Sequence, residues 1–76
     1  MDKISFQEFK EFLLTEIQEN FPTIKLYTIA NGDHIANLVM EARTYNGKIR
    51  FCPYELWYDN PEDKIKDLFE LLDNIV

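Results

Sequence analysis

Apolar side chains recur at helical spacing from Phe6 to Phe21, alternate with polar ones through residues 24 to 52, and return to helical spacing from Ile65 to Val76. At roughly 100° per residue, Phe6, Phe9, Leu13, Ile17 and Phe21 share one stripe, with Phe12 and Leu14 at its margins. We therefore expect an amphipathic helix over residues 6 to 20. Ser5 followed by Glu8 is a capping pattern, Ile4 with Phe9 a hydrophobic staple, and Pro22 a stop. Opposite the stripe lie Glu8, Glu11, Thr15 and Glu19, an acidic row facing solvent.

The middle of the chain is rich in Ile, Tyr, Thr and Val and holds two Asn-Gly pairs, Asn31-Gly32 and Asn46-Gly47, spaced as hairpin turns. Three antiparallel strands are predicted, over 24 to 30, 35 to 44 and 48 to 52. A two-residue turn at Asn46-Gly47 sets Ala42 opposite Phe51 on one side and Arg43 opposite Arg50 on the other. For the first hairpin, a three-residue loop with Gly32 as a bulge is preferred to a two-residue turn, because it keeps Lys25 out of the core. It sets Ala36 opposite Leu26 and sends Ile24, Leu26, Leu38 and Met40 inward. Ile35 and Val39, with Tyr27 and Ile29, then occupy the back of the sheet beside Arg43 and Arg50.

A second helix is predicted from 61 to about 74. Asn60 is placed as its N-cap, Pro61 is preset for the first turn, and Glu62 and Asp63 sit where the helix dipole favours acids. Ile65, Leu68, Phe69, Leu72 and Val76 form its stripe, with Leu71 and Ile75 beside it, and Asp63, Asp67, Glu70 and Asn74 face away. The expected architecture is α+β: a single domain over 1–76, ordered α-β-β-β-α, with both helices on one face of a three-stranded antiparallel sheet. No repeat, low-complexity tract or linker interrupts it.

Composition narrows the function. A chain of 76 residues has little apolar surface to spare beyond its core, which argues against a deep cleft. The lone Cys52 cannot close an intrachain disulfide, and MDKISFQEF has neither the apolar run of a signal peptide nor any following membrane span; the expectation is a cytoplasmic protein. Net charge is −6, with five acids and two bases in 1–23, two acids and four bases in 24–54, and seven acids and two bases in 55–76. The ends are acidic and the middle is basic. Such a molecule repels nucleic acid and anionic membrane, so neither is expected as a direct partner.

Candidate chemistry is sparse. Between Phe51 and the second helix, Tyr54, Trp57 and Tyr58 form a connector that lids the core, with Trp57 expected to be largely buried against that helix; the alternative is an exposed aromatic anchor for a partner. Cys52 has no neighbouring base, and His34, beside Asp33, has no second catalytic partner, so an enzyme or ligand site built on them is the least supported reading. The run Asn60 to Asp63 is too short to wrap calcium, and no metal or cofactor is implied. Lys25, Arg43, Lys48 and Arg50 beside Tyr27 could suggest a nucleic-acid-binding sheet, but four bases on a chain of charge −6 fit the neutralising of nearby acids better.

Three readings follow. The first is a non-catalytic protein that occupies a basic, nucleic-acid-binding surface of another protein through its acidic rows. In size, and in the rows within FQEFKEFLLTEIQEN and NPEDKIKDLFELLDN, the chain resembles the small acidic anti-defence proteins of phages, anti-CRISPR inhibitors among them. That resemblance implies stoichiometric inhibition without catalysis, with Glu8, Glu11, Glu19, Asp63, Asp67 and Glu70 as the contact residues. The second is a partner-binding or self-associating module, a homodimer included, that uses the sheet back at Ile35, Val39, Arg43 and Arg50 or the open edge of the first strand. The third is the site around Cys52 and His34.

Overall fold

The computed structural model describes residues 4–76, so residues 1–3 of the stretch MDKISFQEF lie outside the described residues. Helix α1 spans Phe6–Asn20. Ser5 caps it: its Oγ accepts from the Glu8 amide at 3.1 Å and donates to Glu8 Oε1 at 3.2 Å. The chain reverses at once, with the Phe21 amide bonded to the Ile17 carbonyl and the Ile24 amide to that of Phe21, because Pro22 cannot extend the helix. Strands β1 (Lys25–Ala30), β2 (Val39–Thr44) and β3 (Gly47–Phe51) follow, then a short helix α2 (Pro53–Tyr58) and helix α3 (Pro61–Asp73). The sheet is antiparallel in the order β1-β2-β3.

One apolar cluster joins these layers. Phe6, Phe9, Leu13 and Ile17 of α1 and Leu68 and Leu72 of α3 are buried with Ile24, Leu38, Met40, Ala42, Phe51 and Leu56. Leu26, Ile49, Ile65, Phe69 and Ile75 pack against its margin. Both long helices lie on one face of the sheet, as expected. Phe12, Leu71 and Val76, which the stripes placed at or near the core, are about half exposed.

Several local expectations are corrected. No glycine adopts a positive φ, so neither Asn-Gly pair forms the mirror-image turn that such a pair favours. Gly47 instead opens β3 opposite Thr44, and Tyr45 and Asn46 make the turn. Gly47 serves packing: a Cβ there would lie 3.2 Å from Ile75 Cγ2. The same corner is fastened by Thr44 Oγ1, which donates to the Ile75 carbonyl.

The first hairpin is replaced by a longer connection over 31–38 containing one 3₁₀ turn, Ile35–Asn37. Ile35 therefore does not lie on the sheet back, and β2 starts only at Val39. The turn is held from two sides: the Ala36 amide donates to His34 Nδ1 at 3.0 Å, and Cys52 Sγ donates to the Ala36 carbonyl at 3.5 Å. Leu26 lies opposite Ala42 where Ala36 was expected, and Ala42 lies opposite Ile49 where Phe51 was expected. These slips are of six and two residues, both even, and side chains alternate with period two. Within the strands as they stand, Val39–Thr44 and Gly47–Phe51, the inward and outward sets are therefore those expected, while Ile35 and Ala36 fall outside the sheet.

Asn60 is not a conventional cap. Held at φ 47°, ψ 65° before Pro61, which disfavours the right-handed helical region for its neighbour, it makes no side-chain bond to a helix amide and donates to Asp63 Oδ2 at 2.7 Å instead. The connector before it is helical, and Trp57 is only half buried. Its indole packs edge-on to Phe6 of α1 at 5.8 Å, with Nε1 donating to the Ile4 carbonyl at 2.8 Å.

The weight of the fold on this cluster can be measured. Leu13→Ala, at a site with no exposed surface, should lower unfolding free energy by about 2–5 kcal/mol in urea titration. Leu71→Ala, on the exposed side of α3, should change it by no more than about 0.5 kcal/mol.

Candidate interaction surfaces

Burying one stripe of each helix leaves the other side in water. Glu8, Glu11 and Glu19 on α1 and Asp63, Asp67 and Glu70 on α3 are all exposed. Two of them have local helix roles. Glu8 completes the α1 cap, and Asp63 Oδ2 accepts from the Asn60 side-chain Nδ2 in the first turn of α3. Glu11 accepts from Gln7 Nε2 at 3.1 Å. Among the described residues none of the six is ion-paired; the pairs present are those of Glu41 with Arg43 and Arg50.

The structure also brings an apolar spot to this acidic layer. Phe21, just past α1, meets Phe69 of α3 edge-on at 5.4 Å. Together with Ile65 they floor a shallow depression rimmed by Glu62, Lys66, Glu70 and Asp73. Phe21 and Phe69 both belong to core stripes in the sequence, and only the helix pairing shows that they meet at the margin.

Tyr54, Trp57 and Tyr58 are brought together because spacings of three and four place them on one side of α2. Tyr54 stacks on Tyr58 at 5.7 Å, tilts against Trp57 at 5.6 Å and meets Phe6 at 5.9 Å. Tyr54 and Trp57 fasten α2 to α1, while Tyr58 projects into solvent. Cys52 and His34 are drawn to opposite ends of the same residue, Ala36, and both hold the 3₁₀ turn. No hydrogen bond joins them to each other among the described residues. Nor do the described residues contain a group of three His, Cys, Asp or Glu side chains placed to hold a metal ion, or a helix long and apolar enough to cross a membrane.

The sheet back contains a residue that pattern reading passed over. Glu41 lies between the inward Met40 and Ala42, so its side chain points to the open face, yet it is 1 % exposed. Arg50, directly across on β3, donates from Nε to Glu41 Oε2 at 2.8 Å, and Arg43, two residues along β2, donates from Nε to Oε1. Arg43 also lies over the ring of Tyr27, 4.2 Å from its centroid, and Tyr27 pairs with Glu41 across β1 and β2. The cover is a single layer of guanidinium groups. Val39 is half buried beside this network, and Lys25 and Lys48 are exposed.

Hydrogen bonding from Arg50, then from Arg43, holds the Glu41 pKa below the ordinary 4.5, against a smaller opposing effect of burial. Compared with known protein families, curated proteins and solved structures, the chain matches none.

Because folding lowers this pKa, the stabilisation it reports is complete above 4.5 and is lost as pH falls through the folded-state value. Glu41→Gln should therefore lower the urea midpoint at neutral pH, and the gap to the parent protein should narrow as pH drops below 4.5. Chemical denaturation of both proteins across acid pH measures it.

Proposed function

We propose that this protein acts without catalysis, by binding another protein whose surface is basic, with the exposed carboxylates of α1 and α3 as its contact groups. The observation that carries the reading is charge segregation. The six helix carboxylates stand free of ion pairs among the described residues, while two of the four sheet bases are committed to Glu41. Acids left unneutralised in rows set up a field that steers association and selects partners by sign.

Rows of carboxylates at regular helical intervals present negative charge in a repeating array, as a phosphate backbone does. The partner surface that suits such an array is one built for nucleic acid, and occupying it would inhibit its owner. The depression floored by Phe21 and Phe69 adds an apolar contact within the same layer, as interfaces with a desolvated centre and a charged rim require.

The test uses reversals that spare the helix starts. Glu11→Lys with Glu19→Lys, and separately Asp67→Lys with Glu70→Lys, should each slow association with a partner recovered by affinity capture by roughly tenfold or more at low salt. Unfolding free energy should move by no more than about 0.5 kcal/mol. An association rate indifferent to both reversals and to added salt would show that the acidic rows only keep the protein in solution.

A further inference from the structure

We propose that the open face of the sheet is a second binding surface, separate from the acidic helical layer, which takes an acidic polypeptide segment through Arg43 and Arg50, with Glu41 as the residue that positions them. The Glu41 network stabilises the fold at neutral pH, but stability does not require it. A carboxylate withdrawn from water carries a desolvation cost, and replacing such ion-paired groups with well-packed apolar residues is often neutral or stabilising.

What the arrangement does accomplish is placement. Each arginine spends its Nε on one oxygen of the same carboxylate, so the two guanidinium groups are held side by side on the sheet. Their terminal nitrogens make no hydrogen bond among the described residues, and both side chains remain substantially exposed. Ordering the arginines in advance removes much of the entropy that a flexible pair would lose on binding. Guanidinium forks match the two oxygens of a carboxylate or phosphate.

The face suits anions although the molecule as a whole is acidic. Lys25, Arg43, Lys48 and Arg50 stand there against the single acid Glu41, on a chain of net charge −6. Two observations favour an acidic peptide over a nucleic acid. Proteins that bind single strands on a sheet offer free aromatic rings to the bases, whereas here Arg43 already lies over one face of the ring of Tyr27, a residue otherwise 41 % exposed. A long polyanion would also run past the sheet toward the carboxylates of α1 and α3, while a short acidic segment need touch only this face. Val39, half buried and two residues along β2 from Glu41, gives such a segment an apolar contact.

The experiment titrates the intact protein into a fluorescently labelled short glutamate-rich peptide and follows anisotropy at low and high salt. A lysine-rich peptide and a single-stranded oligonucleotide of equal length serve as comparisons. The expected result is salt-sensitive binding of the acidic peptide alone, weakened about tenfold or more by Arg43→Gln with Arg50→Gln. Glu41→Gln decides the mechanism. It makes the face more positive, so a surface that works by net charge would bind more tightly, whereas one that works by positioned guanidinium groups binds more weakly. Arg50→Lys, which keeps the charge and loses the fork, should also weaken binding and serves if the double variant does not fold. Glu11→Lys with Glu19→Lys should not weaken it, which separates this surface from the helical one. The proposal is overturned by absence of binding, by Glu41→Gln binding as well or better, or by preference for the oligonucleotide. It is overturned equally by a concentration-dependent rise in mass of the free protein that Arg43→Gln with Arg50→Gln abolishes, which would assign the face to a second copy.

Discussion

A three-stranded sheet of this size has one apolar face to cover and only two long helices to cover it with, and the remaining features follow from how that is done. Ala42 sits at the middle of the middle strand without exposed surface, in the same buried cluster as the larger Leu13, Ile17 and Leu72. A small residue there leaves room for the helix side chains to reach the sheet, and close packing of this kind supplies the favourable dispersion and burial a small domain needs. Because α1 and α3 each commit one stripe to that contact, their remaining surface has to be polar. The acidic rows are thus exposed by the packing itself, and what calls for a functional account is their sign and the scarcity of neutralising partners.

The opposite face of the sheet has no layer over it among the described residues. An apolar surface there would be an aggregation hazard, and a row of isolated charges would leave strand residues poorly packed. The chain meets both conditions with long side chains lying along the sheet: Arg43 covers Tyr27, and Arg43 and Arg50 together cover Glu41. Arginine suits this because its aliphatic stem packs while its planar head stays hydrated or paired. Lys25 on β1 and Lys48 on β3 stand on the two outer strands, where charge discourages pairing with another chain.

The molecule is consequently two-sided, with acids dominating its helical layer and bases its sheet. Screening over about 8 Å at physiological ionic strength keeps such opposed fields local. Each side can therefore present its own sign to a partner even though the total charge is negative. The small helix α2 links the two layers: Tyr54 and Trp57 hold it to Phe6, and Cys52, at its start, holds the 3₁₀ turn that delivers the chain into β2.

Much of this was legible in the chain because the signals involved are periodic. A helix stripe depends only on spacing within one element, so α1 and α3 and their outward acids could be read directly. Strand faces depend on parity, which is why slips of six and two residues left Met40 and Ala42 inward and Arg43 outward. Register itself could not be read, because an Asn-Gly pair fixes the turn type and with it the register only if the glycine takes a positive φ, and neither does. The 3₁₀ turn is held by His34 locally and by Cys52 from across the fold, and α2 packs through Tyr54 and Trp57 against Phe6. Glu41 was hidden for the same reason: in the string Met40-Glu41-Ala42 it is an ordinary outward polar residue, and its cover needs Arg50, which β3 brings opposite to it, as well as Arg43 two residues along β2. Periodicity is local and survives in one dimension; pairing between distant segments is a property of the folded chain alone.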